Sequence, residues 1–175
     1  QLPICTYTND IFPDLILFWG HNPIYSGPDG ELGFGVREAL ARKPKIIVID
    51  PRKTTLARRA DVWLQLRPGT DDALALAMLN VIVEEGLEDR PFVDQWCHGY
   101  EELAQRVKTY TPEWAEPITW CSAGDIRVAA RLYAQIKPSM LEWGCAIEHT
   151  PACFQTVRAL LCLPSITGNI DQPGS

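Results

Sequence analysis

Four segments of the chain combine turn residues with polar or charged side chains, and each follows an apolar run of strand length. The candidate residues are Trp19, Gly20, His21 and Asn22 after the first run, Asp50, Pro51 and Arg52 after the second, Gly69, Thr70 and Asp71 after the third, and Gly144 and Cys145 after the fourth. Ligands of open α/β sheets bind outside the carboxyl ends of the strands. We therefore expect the four segments to form one binding edge.

The residue types in these segments suit a nucleotide. Gly20 would let a ligand approach the backbone, and the amide of Asn22 can donate or accept a hydrogen bond. Asp50 directly follows its apolar run and is placed to bind two ribose hydroxyls, while Arg52 can neutralise a phosphate. The carboxylate of Asp71 can accept from the N–H donors on the edge of a guanine.

The same residues also have ordinary structural explanations. Gly20 and Gly69 are typical turn residues, and Asp50 before a proline can serve a turn alone. Thr70 or Asp71 could cap the helix that follows them. What favours a binding site is that four such segments occur in chain order at the ends of predicted strands.

The apolar runs predict the strands that would position this edge. They cover residues 15–19, 46–49, 62–66 and 139–142, and continuous apolar runs are typical of strands buried on both faces of a parallel sheet. Helical patterns lie between them at residues 31–42, 71–85, 90–97 and 100–110, with two more after Ser122 and Thr150. This alternation predicts one α/β domain over residues 1–175, with a mainly parallel, Rossmann-like sheet flanked by helices.

Two helices carry further predictions. The helix over residues 71–85 is apolar on nearly all sides, so we expect it to be buried, and Gly86 fits its C-terminal cap. The last helix places Phe154, Val157 and Leu161 on one face, which we expect to be its apolar face.

Composition excludes several classes of function. A net charge of −6 without a basic block argues against nucleic acid as a partner, and the apolar runs fall far short of a membrane span. The six cysteines form no Cys-x-x-Cys, so neither a zinc site nor an iron–sulfur cluster is expected within this chain. The Gly-x-Gly-x-x-Gly fingerprint of NAD sites is also absent, because Gly33-Phe34-Gly35 lies inside a predicted helix and Glu38 follows.

Several longer strings in the sequence resemble the dimethyl sulfoxide reductase family of molybdopterin oxidoreductases. They occupy residues 15–23, 45–54, 57–74, 96–103, 110–115 and 167–170, so that the resemblance covers nearly the whole chain. The sequence is similar above all to the formate dehydrogenase, thiosulfate reductase and acetylene hydratase branches of this family. Each string is weak alone, whereas the ordered set is specific.

The resemblance implies a bis(molybdopterin guanine dinucleotide) cofactor with molybdenum or tungsten, in which this domain binds the nucleotide part of one dinucleotide. By position, it assigns Gly20, His21 and Asn22, next to Trp19, to the pyrophosphate, and Asp50, Pro51 and Arg52 to the ribose and a phosphate. It assigns Gly69, Thr70 and Asp71 to the guanine, and Gly144 and Cys145 to the pterin side. The implied partners are the remaining domains of a parent enzyme and possible electron-transfer subunits.

One feature departs from the family pattern. The family's metal ligand lies a few dozen residues before the first candidate segment, whereas Cys5 is only 20 − 5 = 15 positions before Gly20. We therefore assign no metal ligand and no catalytic residue to this chain. Because the sequence begins without Met, we expect a fragment that is inactive alone, with any iron–sulfur cluster in other parts of the enzyme.

Two alternatives remain open from the sequence. The central domain of a thiamine-diphosphate enzyme is also α/β and shares an Asp-Leu-Ile-Leu opening before a glycine, but it has no known counterpart of Pro68-Gly69-Thr70-Asp71. A non-catalytic α/β interaction module could also keep this fold without a ligand. Metal and pterin analysis separates the first hypothesis from both alternatives.

Overall fold

A four-stranded parallel sheet lies at the centre of the protein. The computed structural model describes residues 11–26 and 31–175, with side chains from residue 35 onward in the second range. The strands are β1 (Leu15–Trp19), β2 (Lys45–Ile49), β3 (Val62–Leu64) and β4 (Ser139–Trp143). Their spatial order is β3-β2-β1-β4, and every neighbouring pair is parallel. Trp19 pairs in register with Ile49 on one side and with Trp143 on the other, so these three strands end level with one another.

Nine helices connect and cover these strands in the described part of the chain. They are α1 (Pro23–Ser26), α2 (Glu31–Ala41), α3 (Asp71–Glu84), α4 (Arg90–Trp96), α5 (Tyr100–Val107), α6 (Pro112–Thr119), α7 (Ala123–Gln135), α8 (Cys145–Glu148) and α9 (Cys153–Ile166). None of these helices combines the length and the apolar composition needed to cross a bilayer.

Both faces of the sheet are buried, as the continuous apolar runs predict. Alternate side chains of β1 point to opposite faces, because the repeat of a strand is two residues. Leu17 and Trp19 belong to the core that contains α3, α7 and α9, whereas Ile16 and Phe18 pack with Val36 of α2 on the other face. The predicted α/β fold with a parallel sheet between helices is therefore confirmed.

Helix α3 is the central helix of the larger core. It contacts α5, α6, α7 and α9, which explains why its sequence is apolar on nearly all sides. The helix ends at Glu84, and Gly86, the residue predicted to cap it, has a φ of +62°. The N–H of Leu87 donates to the Ile82 carbonyl and that of Gly86 to the Val83 carbonyl, as in a Schellman motif.

Two sequence predictions need correction. Strand β3 ends at Leu64 rather than at residue 66, because the N–H of Leu66 donates to the Leu64 carbonyl and that of Arg67 to the Thr119 carbonyl. The chain thus leaves the sheet two residues early.

The predicted apolar face of the last helix, α9, is correct only for Val157, which is partly buried and packs against the larger core. Phe154 is 70% exposed and Leu161 45% exposed, whereas the buried residues are Thr156, Leu160, Leu163 and Ile166. Thr156 tolerates burial because its hydroxyl donates to the carbonyl of Ala152, one turn earlier. Thr156 therefore faces the core together with Leu160, Leu163 and Ile166.

Candidate functional site

The parallel sheet brings three of the four candidate segments to one edge, at the carboxyl ends of β1, β2 and β4. The fourth segment, residues 69–71, lies beyond the end of β3 and meets β1 through the hydrogen bond from Trp19 to Asp71. The N–H of Gly20 donates to the carbonyl of Ile49 at 2.8 Å, and that of Gly144 donates to the carbonyl of Trp19 at 3.2 Å. These bonds continue the strand pairing by one residue beyond β1 and β4. The segments after β1, β2 and β4 therefore start from a shared, fixed backbone.

Gly20 and Gly144 form the closest backbone contact at this edge. A Cβ atom at position 144 would lie 2.5 Å from the carbonyl oxygen of Gly20, a distance that side chains do not tolerate. Gly20 itself has a φ of +58°, which favours glycine. Both positions therefore require glycine to keep β1 and β4 together where they end.

Asp71 is the buried carboxyl group of this edge. It is the first residue of α3 and only 8% exposed, and its Oδ1 accepts a hydrogen bond of 2.9 Å from the indole N–H of Trp19. Burial raises the pKa of the Asp71 carboxyl, against the opposing effect of the Trp19 N–H. Trp19 is fully buried. Its place is therefore beneath the edge, where it orients the carboxyl group.

The residues before Asp71 form an open turn. Gly69 has a φ of +81°, and a Cβ atom there would meet nothing within 4 Å, so the space beside it is free among the described residues. Thr70 occupies the N-cap position of α3, but its side chain makes no capping hydrogen bond and its hydroxyl donates to the carbonyl of Arg67 instead. The structure thus does not support a capping role for the Thr70 side chain.

The segment after β2 is a turn held by Asp50. Its Oδ1 accepts from the backbone N–H of Arg52 at 2.7 Å, and its carbonyl oxygen accepts from the indole N–H of Trp63. Gln65 donates to the carbonyl oxygen of Pro51. Asp50 is only 5% exposed, whereas the side chain of Arg52 is 80% exposed. The turn therefore uses one oxygen of Asp50, which also lies 4.0 Å from Nε of Arg52, and the rest of the exposed Arg52 guanidinium is accessible to a phosphate.

The backbone carbonyl and the side-chain oxygen of Asn22 have different surroundings. Its backbone carbonyl accepts from the N–H groups of Tyr25 and Ser26 and from the Ser26 hydroxyl, which builds the short helix α1. Its side-chain Oδ1 is buried and has no hydrogen-bond partner among the described residues. Buried polar atoms without partners are costly in folded proteins. This oxygen is thus a position where a ligand donor would be stabilising.

Glu142 is the site residue that sequence reasoning missed. Its Oε1 lies 2.7 Å from Nδ1 of His21, and both side chains are mostly buried, with 13% and 15% exposed. The signal in the sequence was a single acidic residue inside the apolar run of β4. That signal became meaningful only once β4 was known to lie beside β1.

The cysteines of the described residues differ in how exposed their thiols are. Cys145, a candidate residue, is exposed and begins the short helix α8 directly after Gly144. Burial raises the pKa of the Cys121 thiol to about 11, and it also raises the pKa of Cys97 and of Cys162, so these three are protonated thiols at neutral pH.

Cys5 lies outside the described residues. Within residues 11–26 and 31–175, no cluster of His, Cys, Asp and Glu could hold a metal ion.

The sequence of this chain is similar to those of several known proteins. The chain is 43% identical over 134 residues to acetylene hydratase of Syntrophotalea acetylenica, and this alignment covers 77% of this chain and 18% of that protein. It is 42% identical over 160 residues to formate dehydrogenase H of Escherichia coli, which covers 91% of this chain and 22% of that protein. The chain therefore spans about a fifth of the length of these relatives.

A solved structure and a family model indicate the same family as these sequence relatives. The acetylene hydratase from Pelobacter acetylenicus superposes with a TM-score of 0.81 at 37% sequence identity, covering 95% of this chain and 23% of that one. Residues 10–175 match the family model described as molybdopterin oxidoreductase. The resemblance noted in the sequence is thereby confirmed, and the thiamine-diphosphate alternative has no support. This chain belongs to the molybdopterin oxidoreductase family.

Proposed function

We propose that this domain binds the guanine end of a molybdopterin guanine dinucleotide, as one part of a larger molybdenum- or tungsten-dependent oxidoreductase. The observation that carries the proposal is the buried carboxyl group of Asp71, fixed by the Trp19 indole at the carboxyl edge of the sheet. Family membership supports a molybdopterin cofactor, and Asp71 supports the guanine form.

The chemistry of guanine matches this carboxyl group. A guanine edge offers two adjacent donors, N1–H and the exocyclic amine, and an ionised carboxylate offers about four acceptor positions on its two oxygens. The Trp19 N–H donates to Oδ1, and the backbone N–H groups of Gly69 and Asp71 also interact with the carboxylate. The acceptor positions that remain would accept from the guanine donors, and the space beside the Gly69 backbone is open. A charge-assisted contact with two hydrogen bonds would distinguish guanine from other bases.

The other candidate residues would hold the remainder of the dinucleotide. The exposed guanidinium of Arg52 is available to a phosphate, and the unpartnered Oδ1 of Asn22 can accept from a ligand donor. The Gly20 and Gly144 pair fixes the backbone of this edge, because protein atoms fill the space that a Cβ atom would need at either position. Asp50 would contact a ribose with the oxygen that its turn does not use.

The remaining parts of the enzyme would complete the reaction. When bound, the metal of the cofactor supplies the redox chemistry, and this chain's own residues hold only the nucleotide. We therefore propose that the other domains provide the metal ligand and that electron-transfer subunits can serve as partners. Expressed alone, this chain should have no oxidoreductase activity.

Nucleotide analysis of the complete protein tests this function. The protein is purified with its cofactor, the dinucleotide is hydrolysed with acid, and the released nucleotide is identified by chromatography beside pterin and metal analysis. We expect guanosine monophosphate in proportion to the pterin. Pterin with a different nucleotide would refute the guanine assignment, and protein without pterin or metal would favour the non-catalytic interaction module.

A further inference from the structure

The outward face of α9 carries two large apolar side chains that are exposed. Phe154 is 70% exposed and Leu161 is 45% exposed, and the side chain of Arg158 between them is exposed as well. Residues that are three or four positions apart lie on one face of a helix, so these three residues form one stripe along α9. A solvated helix face normally carries polar side chains. An apolar stripe on the outside of a helix is therefore typical of an interaction surface.

Two grooves lie beside this stripe, between α9 and α5. One of them also includes Leu76 of α3, and the other includes Trp96 at the end of α4, which is 69% exposed. The residues that line both grooves are Leu103, Arg106, Arg158 and Cys162. Because the two grooves share these four residues, they adjoin. We call the combined surface the α5–α9 groove.

The two arginines of the α5–α9 groove have no ion pair with a carboxylate among the described residues. Arg158 donates to the side-chain oxygen of Gln155, and its Cζ lies 5.9 Å from the centre of the Phe154 ring. The Cζ of Arg106 lies 5.5 Å from the centre of the Tyr110 ring. Ion pairs with carboxylates are made instead by Arg90, Arg127 and Arg131. Since the planar guanidinium suits a carboxylate, the groove offers two cations to an acidic partner.

We propose that the α5–α9 groove and the stripe of α9 bind an acidic, amphipathic segment from another part of the longer polypeptide. Apolar side chains of that segment would pack on Phe154 and Leu161, as an amphipathic helix packs into an apolar groove. Its carboxylates would pair with Arg106 and Arg158. This inference rests on the part of the proposed function that places this chain in a larger enzyme, and it does not require the dinucleotide.

Length and charge favour this occupant over a second copy of the chain. The matched regions make up 18% and 22% of two relatives, so about four fifths of each of those proteins lies outside the match and is long enough to supply such a segment. A two-fold contact between copies would instead place the same surface on both sides. It would bring Arg106 and Arg158 of one copy towards the same arginines of the other, and like charges across an interface oppose binding.

Photo-cross-linking of the complete protein tests this occupant. Phe154 is replaced by p-benzoylphenylalanine, which exchanges one exposed aromatic side chain for another, and cross-linked peptides are identified by mass spectrometry after irradiation. We expect a cross-link within one polypeptide, to a peptide outside these 175 residues that contains Asp or Glu. A cross-link to a second copy or to a separate subunit, a peptide without acidic residues, or no cross-link beyond these residues would overturn the proposal.

Val128 provides a matched position for the same photo-reactive amino acid. It is 43% exposed in α7 and does not line either part of the α5–α9 groove. Irradiation of that variant should not give the peptide that Phe154 captures. If both positions capture the same peptide, that segment is not docked on α9 and the proposal is wrong.

Charge reversal tests the role of the arginines. Arg106→Glu combined with Arg158→Glu should lower the yield of the cross-link about tenfold or more, because carboxylates would then face those of the bound segment. Lysine at both positions keeps the positive charge and should retain most of the yield. Arg127→Glu is the control, since Arg127 already pairs with Glu113. An unchanged yield in the double glutamate variant would refute the acidic character of the segment.

Nucleotide analysis of the same proteins separates this inference from the proposed function. Protein that contains the guanine nucleotide but gives no cross-link would refute only the docking of the segment. Protein that gives the expected cross-link but contains no guanine nucleotide would refute only the guanine assignment. We expect both the cross-link and the nucleotide in the protein that carries p-benzoylphenylalanine at position 154.

Discussion

Replacing Asp71 with asparagine is expected to weaken binding of the guanine dinucleotide by about 5- to 150-fold. Asparagine keeps the shape of the side chain, and its amide oxygen can still accept the hydrogen bond that Trp19 donates at 2.9 Å. The amide group must then turn its NH₂ towards the guanine, where it meets donors in place of an acceptor. Opposed buried donors cost about 1–3 kcal/mol.

The stability of the cofactor-free protein should change in the opposite direction. Because burial raises the pKa of Asp71 in the folded state, the ionised side chain costs stability, and that cost grows as the pH rises through the folded-state pKa. Asp71→Asn removes the charge, so at neutral pH its midpoint of thermal unfolding should equal or exceed that of the wild type. Thermal unfolding without cofactor and nucleotide content with cofactor measure the two effects separately.

Asp72→Asn is the matched control for this experiment. Asp72 lies in the same first turn of α3 and feels the same helix dipole, but its Oδ1 accepts from the backbone N–H of Ala73. Its replacement should leave the nucleotide content unchanged. If Asp71→Asn instead lowers the thermal stability and retains the full nucleotide content, Asp71 supports only the helix and does not contact guanine.

Gly144→Ala is expected to damage both stability and cofactor binding. The added Cβ atom would lie 2.5 Å from the Gly20 carbonyl oxygen, and that neighbour is backbone, which cannot rotate away. The ends of β1 and β4 must therefore move apart. Overpacking of this kind costs about 1–3 kcal/mol. The segment that carries Gly20, His21 and Asn22 would shift with β1, so the nucleotide content should fall as well.

Urea unfolding of the cofactor-free protein and nucleotide analysis of the loaded protein check this expectation. Gly124→Ala serves as the control, because Gly124 lies in α7 and its added Cβ atom would meet only the Ser122 hydroxyl at 3.8 Å. Alanine at that position should raise stability by up to about 1 kcal/mol. Unchanged stability in Gly144→Ala would mean that the close contact of the two strand ends is not maintained in solution.

The sequence predicted the sheet well because its strands are continuous apolar runs. β1 is fully buried from Leu15 to Trp19, and a strand buried on both faces leaves an unambiguous pattern. The predicted sheet edge also follows from parallel strands alone, since all their carboxyl ends lie together. The candidate segments could therefore be placed without any knowledge of side-chain contacts.

The contacts within the site could not be predicted in the same way. Trp19 and Asp71 are 52 positions apart in the chain, and their hydrogen bond depends on how α3 packs against β1. The pairing of His21 with Glu142 likewise depends on β4 lying next to β1. Strand order is a tertiary property, and local patterns in the sequence do not contain it.

The position of the guanine base in the cofactor-loaded, complete protein tests the central claim most directly. A crystal or cryo-electron microscopy structure would give the distances from the Asp71 carboxylate to N1 and to the exocyclic amine of guanine. We expect both distances at about 2.7–3.2 Å, with the Trp19 indole still bound to the same carboxylate. A guanine bound elsewhere, with Asp71 contacting only Trp19, would contradict the account.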